Sequence, residues 1–277
     1  MKKDLVIFLL ISTFAKVVSG QASLSLHLND KTQTWSHAEL KNHPSIQTVL
    51  LPKDPSRKGQ PTRYLALSTA DLLSKSDFNE SNNRTVEVSA SDGMTVSFDL
   101  ARLTNRDNKR SIAYLALEPV GRPWHEFKPG QKTGPYFLFW INPELSQVGA
   151  EEWPFQVIAL KVQKSLEETY PLIVPDSKLS RQHSVQKGFQ TFVKNCFVCH
   201  TLNRQGASQL GPDLNYPNSP VDYFKESYFR KYIRNPRQLR HWPQSRMPGF
   251  GFQKLSNGEL HDLLEYFKHM AKRRPQL

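Results

Sequence analysis

The feature that most constrains this chain is the short motif Cys196-Phe197-Val198-Cys199-His200. Two thiols three residues apart can add to the two vinyl groups of one haem, and the histidine that follows can place its imidazole beneath the iron. A redox dithiol, a disulfide or half of a zinc site would show the same cysteine spacing. Zinc needs two further Cys or His ligands at suitable spacing, and the chain has no other cysteine. The motif therefore predicts covalent attachment of one haem c.

The first residues are typical of an export signal. Lys2 and Lys3 precede an apolar run from Leu5 to Phe14, and Val18-Ser19-Gly20 is a small-residue cleavage site. The run is too short to span a bilayer comfortably. We therefore expect residues 1–20 to be removed, and the mature protein to be soluble and periplasmic, without stable membrane insertion. An uncleaved membrane anchor is the alternative.

Charge is distributed unevenly along the chain. From Lys178 to the end there are 17 Lys and Arg against 6 Asp and Glu, whereas the formal net charge of the whole chain is +12. Basic composition is common in nucleic-acid-binding proteins, but an exported haem domain argues against that role. An acidic redox partner, steered in by electrostatics, is the better interpretation. A merely solvated basic surface is the alternative.

Residues 21–165 are predicted to form one mixed α/β domain. Alternating and apolar stretches indicate strands, a short helix carries Leu72 and Leu73, and Asp92-Gly93 predicts a hairpin turn. The predicted strands are Ser23 to Leu28, Ile46 to Leu51, Tyr64 to Leu67, Arg84 to Ser89, Thr95 to Phe98, Ser111 to Leu117, Tyr136 to Ile141 and Phe155 to Val162.

The order of these pieces resembles the molybdopterin-binding domain of the sulfite oxidase family. The matching stretches are Thr62 to Leu67 with Asp71-Leu72-Leu73, the Ala90 to Gly93 turn, Ala113 to Leu117, Gly134 to Trp140 and Trp153 to Val157. In that family a cysteine thiolate holds molybdenum, and a soft ligand suits such a metal. This domain contains no cysteine, so the resemblance implies a fold while the missing ligand argues against molybdopterin catalysis. Four scattered histidines are interpreted as surface or hydrogen-bonded residues, namely His27, His37, His43 and His125.

After a linker at residues 166–182, residues 183–277 resemble a class I cytochrome c, an all-α domain. The resemblance is carried by a helix from Ser184 to Asn195, the attachment motif, the stretch Gly211 to Leu214, the Met247-Pro248 loop and a last helix from Asn257 or Gly258 to about Ala271. A further helical stretch is predicted from Val221 to Ile233. Domains of this kind carry electrons.

The attachment motif makes His200 the expected proximal iron ligand. Met247 is the expected distal ligand, because it lies in an irregular loop stiffened by Pro248; His241 is the alternative. Met270 lies on the apolar stripe of the last helix and is interpreted as core. In the resembling family the carbonyl of the proline at Pro212 accepts the imidazole N–H and orients the ring.

Three functional hypotheses follow. The first is an exported electron carrier with one haem c bound to Cys196 and Cys199, in which the N-terminal domain is a non-catalytic scaffold or docking module. The second is a sulfite dehydrogenase-like enzyme that passes electrons from a molybdopterin to its fused haem. The absent cysteine favours the carrier over the enzyme. A gas sensor, with Met247 displaced, is a third hypothesis.

Overall fold

The computed structural model describes residues 22–28, 31–73, 84–240 and 245–275. The predicted signal segment, residues 1–20, lies outside the described residues. A sheet-rich N-terminal part precedes a helical C-terminal part. The N-terminal elements are β1 (Ser23–Leu28), β2 (Lys31–Ser36), α1 (His37–Lys41), β3 (Gln47–Asp54), β4 (Gln60–Ser68), α2 (Thr69–Leu73), β5 (Arg84–Ala90), β6 (Thr95–Asp99), α3 (Leu100–Leu103), β7 (Ile112–Leu117), β8 (Tyr136–Ile141) and β9 (Val157–Lys164).

The N-terminal strands form two sheets. One sheet has the order β2-β1-β9-β5-β6, in which only the β1–β9 pair is parallel among the described strands, and the other has the antiparallel order β3-β4-β7-β8. Apolar side chains of both sheets share one buried cluster, which we call the sheet core. Alternate side chains of strand β8 are buried on opposite faces of its sheet. Tyr136, Leu138 and Trp140 enter the sheet core, while Phe137 and Phe139 join a smaller cluster on the opposite face.

The C-terminal part is built around two crossing helices. Its elements are α4 (Leu166–Thr169), α5 (Ser184–Asn195), α6 (Pro220–Tyr223), α7 (Glu226–Arg234), α8 (Pro236–Leu239) and α9 (Asn257–Ala271). Helices α5 and α9 cross at Gly188, where an added Cβ would lie 2.6 Å from the carbonyl carbon of Asp262 and 2.7 Å from Cβ of Tyr266. Their apolar stripes enclose a second buried cluster, which we call the helical core.

Several predicted elements are confirmed and one is wrong. Helix α5 has the predicted bounds, α9 begins at Asn257 and ends at Ala271, and the β5–β6 hairpin pairs as expected. The single helix predicted from Val221 to Ile233 is instead two helices, α6 and α7. Phe224 and Lys225 between them have extended backbone angles. Apolar spacing continues across the break, which is why the sequence pattern did not reveal it.

The segment predicted as a linker is ordered and packed. It contains α4 and a 3-10 turn at Pro171–Ile173, and the side chains of Leu166 and Ile173 are buried in the helical core. The Tyr266 hydroxyl donates a hydrogen bond to the Ile173 carbonyl oxygen at 2.6 Å. No helix among the described residues is long and apolar enough to cross a membrane.

Candidate haem site

The attachment motif begins where α5 ends. The imidazole of His183 caps the first turn by accepting a hydrogen bond from Val185 N, and the helix stops at Asn195. Beyond it, the backbone N–H groups of both Cys199 and His200 donate to the Cys196 carbonyl oxygen, at 3.0 and 2.9 Å. These bonds close a tight turn, so both thiols and the imidazole are presented by one short piece of backbone.

Both cysteines are free thiols, since no disulfide joins the only two cysteines of the chain. Burial and the nearby Cys199 and Glu151 raise the pKa of Cys196 to about 12. Burial, Glu151 and Asp92 raise the pKa of Cys199 to about 12 as well. The thiols therefore keep their protons at neutral pH. Among the described residues, no group of three or more His, Cys, Asp and Glu is placed to hold a metal ion.

The His200 ring is held by the segment that follows the motif. Its Nδ1 lies 2.8 Å from the Pro212 carbonyl oxygen. A carbonyl can only accept, so Nδ1 carries the proton and Nε2 keeps its lone pair. Burial lowers the pKa of His200 more than the Pro212 bond and the Asp213 charge raise it, so the neutral imidazole is favoured. The ring is therefore prepared to ligate through Nε2.

Two residues to which the sequence analysis assigned no individual role support this ring. Gly211 leaves room for it, since an added Cβ would lie 2.5 Å from His200 Nδ1 and Cε1. The Asp213 carboxylate organises the surrounding loop by accepting several hydrogen bonds, from Thr201 Oγ1 at 2.9 Å and from the backbone N–H groups of Asn203, Arg204, Asn215 and Tyr216 at 2.6–3.2 Å. The only sequence signal for either residue was its position beside Pro212.

Met247 lies in a loop tied to the end of α7. Its half-buried side chain packs against the helical core, as do Cys196 and Leu214. Phe250 N donates to the Ile233 carbonyl oxygen at 2.9 Å, and the Arg234 guanidinium donates to the Phe250 carbonyl oxygen at 2.8 Å. The alternative ligand His241 lies outside the described residues.

Met270 and the four N-terminal histidines lie in surroundings that agree with their interpretation from the sequence. Met270 is 1 % exposed inside the helical core, which confirms its interpretation as core. The four N-terminal histidines have partners of their own within their domain. His27 bonds Thr32, His37 stacks on Tyr136, His43 accepts from Ser45 N and His125 bonds the Ser56 carbonyl.

The sheet domain touches the attachment motif directly. The side chain of Val198, between the two cysteines, is buried in the sheet core, and Thr95 N donates to the Val198 carbonyl oxygen at 3.3 Å. The carbonyl oxygen of Gly93, at the β5–β6 turn, accepts from Gln209 N at 3.1 Å and from Ser208 Oγ at 3.0 Å. The sequence did not show whether the two domains are in contact. In the structure the β5–β6 turn contacts the motif at Val198 and the chain after the motif at Ser208 and Gln209.

The helical part thus presents two free thiols, a neutral imidazole oriented by a carbonyl, and a methionine packed on the same core. These groups fit a covalently bound haem, with the cysteines as attachment points and His200 and Met247 as the available iron ligands. Residues 185–271 match the family model described as cytochrome c. This match supports a cytochrome c domain in the C-terminal part of the chain, and that family implies covalently bound haem c and haem-based electron transfer. The match includes none of the N-terminal domain.

Proposed function

We propose that this chain is an exported, single-haem c-type cytochrome that exchanges single electrons with a redox partner. When bound, the haem supplies a one-electron ferric/ferrous couple. Cys196 and Cys199 hold it covalently, His200 and Met247 ligate the iron, and Pro212 orients His200. The observation that carries the proposal is the His200–Pro212 hydrogen bond beside two free thiols, within the region that matches cytochrome c.

The attachment and ligand roles can be tested on the full, exported chain. Haem staining after denaturing electrophoresis should show haem bound to the wild-type chain and lost from the Cys196→Ala, Cys199→Ala double variant. Met247→Ala should abolish the weak methionine-to-iron absorption band and lower the reduction potential, because thioether ligation raises it. Met94→Ala, which changes a half-buried methionine of the sheet domain, is the matched control and should keep the band. Loss of covalent haem from the wild-type chain would overturn the proposal.

We propose that the redox partner has an acidic face and that this face docks on the basic surface formed by α7 and α8. Lys225, Lys231 and Arg237 are exposed there, and Lys231 lies 5.7 Å from the ring centroid of the exposed Tyr228. This surface adjoins the Met247 loop through the Ile233–Phe250 hydrogen bond. Electrostatic docking of this kind predicts an association rate that falls with rising salt, and Lys231→Glu should reduce it more than Lys161→Glu in the sheet domain.

We propose that the N-terminal domain is a scaffold of sulfite oxidase-like fold without molybdenum catalysis. Its supporting observation is the absence of any cysteine from that domain. Metal analysis of the purified protein separates this from the molybdopterin enzyme. One iron and no molybdenum per chain supports the carrier, and one molybdenum per chain would overturn it.

A further inference from the structure

A carboxylate of the sheet domain lies beside the haem-attachment segment. The side chain of Glu151 is only 20 % exposed and lines a cavity of about 260 Å³ between the two domains. The opposite wall includes Asn195, which directly precedes Cys196, and Phe250 from the segment after Met247. The sheet domain therefore contributes an acidic side chain to the surroundings of the predicted haem.

The charge of Glu151 is incompletely balanced. Its nearest cation, Lys254 Nζ, lies 4.0 Å from Oε1, at the outer limit of an ion pair, and the Lys254 side chain is 48 % exposed. Burial raises the pKa of Glu151 above its ordinary value, and the charges of Lys254 and Lys128 offset only part of this rise. Glu151 lines this cavity together with Lys194 and Asn195, the two residues that precede Cys196. Its carboxylate therefore lies close to the start of the attachment motif.

A second carboxylate of the same domain lies at the β5–β6 turn. Asp92 precedes Gly93, whose carbonyl oxygen accepts from Gln209 N at 3.1 Å, and Thr95 of the same turn donates to the Val198 carbonyl oxygen at 3.3 Å. Asp92 Oδ1 accepts a hydrogen bond from Met94 N at 3.0 Å, which fixes the side chain.

The contact between the domains keeps these charges in place. Thr95 bonds the β5–β6 turn to Val198 of the motif, and Gly93 bonds it to Ser208 and Gln209 after the motif. The Val198 side chain is buried in the sheet core. On the other side, Lys194 Nζ donates to the Gln147 carbonyl oxygen at 3.3 Å. Because the segments bearing Glu151 and Asp92 are held on both sides of the motif, their distance from it is set by the fold.

Ferric haem carries one more positive charge than ferrous haem, so a carboxylate at short range in a partly buried site stabilises the ferric form. We propose that Glu151, supported by Asp92, is a redox-tuning residue that lowers the reduction potential of the haem held at Cys196 and Cys199. This inference rests on the proposed function. It assigns the sheet domain a definite task, which is to set the driving force for electron transfer.

The test is a potentiometric titration of the full, haem-bearing chain. Glu151→Gln keeps the size of the side chain and removes its charge. At the midpoint potential of the wild type, the ferrous-to-ferric ratio is one in the wild type and should be about three or more in Glu151→Gln. A tenfold change in this ratio corresponds to a 59 mV shift of the midpoint potential for one electron. Asp92→Asn should act in the same direction and add to it. Lys254→Gln, which removes the nearest cation, should shift the ratio the opposite way.

Glu144→Gln is the matched control, because Glu144 is an exposed glutamate of the same stretch. It should leave the ratio at one. A haem-bearing Glu151→Gln variant with wild-type potential, or an equal shift in Glu144→Gln, would overturn this proposal and leave the proposed function standing. A wild-type chain without covalent haem would overturn both, and haem staining of the denatured chain reports that outcome separately.

Discussion

The crossing of α5 and α9 offers a sharp test of the helical architecture through Gly188. An alanine there would place Cβ 2.6 Å from the Asp262 carbonyl carbon and 2.7 Å from Tyr266 Cβ. The obstructing atoms belong to backbone and to Cβ, so no rotamer change relieves the contact and the helices must separate. That separation would loosen the packing of Phe189 and Phe192 on the Tyr266 ring. The ring centroids of Phe189 and Phe192 lie 5.8 and 5.3 Å from that of Tyr266.

The expected magnitude follows from two opposing effects. Overpacking costs about 3 kcal/mol at a contact that cannot relax, and alanine regains about 1 kcal/mol over glycine in a helix. Gly188→Ala should therefore lower the free energy of unfolding by about 2 kcal/mol. Denaturant unfolding of the holoprotein, followed by the helical circular dichroism signal, measures this directly.

Gly258→Ala in the first turn of α9 is the matched control. Its added Cβ would have no neighbour closer than 4.0 Å, so the same substitution should stabilise the protein by up to about 1 kcal/mol. Equal effects of the two substitutions, or a stabilised Gly188→Ala variant, would refute the tight crossing.

Two further predictions concern the His200 imidazole and the Tyr136 hydroxyl. Gly211→Ala should displace the His200 ring and break its hydrogen bond to the Pro212 carbonyl, so the signal of the slowly exchanging His200 Nδ1 proton should disappear from the NMR spectrum. Gly251→Ala is the control. It adds a Cβ in open space and should keep that signal. Burial raises the pKa of Tyr136 from its ordinary value of 10.0 to about 12. The stability that the buried phenol contributes is therefore complete below pH 10 and is lost as pH rises towards 12. Tyr136→Phe should flatten the decline in unfolding free energy over that window, and an unchanged slope would contradict the assignment.

Helices and strands were predicted well from the sequence where their local apolar pattern is strong. Helices α5 and α9 were predicted closely because each carries an apolar stripe at helical spacing. The structure adds their caps, which are His183 for α5 and a capping box of Ser256 and Glu259 for α9. Strand β2, Lys31–Ser36, was missed because it is an edge strand whose residues are polar and mostly exposed, so no apolar alternation marks it. The break at Phe224 was missed because the apolar spacing continues through it.

The site shows the same division. The sequence alone predicted the attachment chemistry, because both thiols and the imidazole lie within five consecutive residues and their spacing is local. Only the tertiary structure decided that Val198 is buried in the other domain, that Gly211 makes room for His200, and that Glu151 faces the attachment segment. These contacts join residues that are distant in the chain or belong to different domains, and burial and electrostatic interaction depend on distance in space, which a linear pattern does not encode.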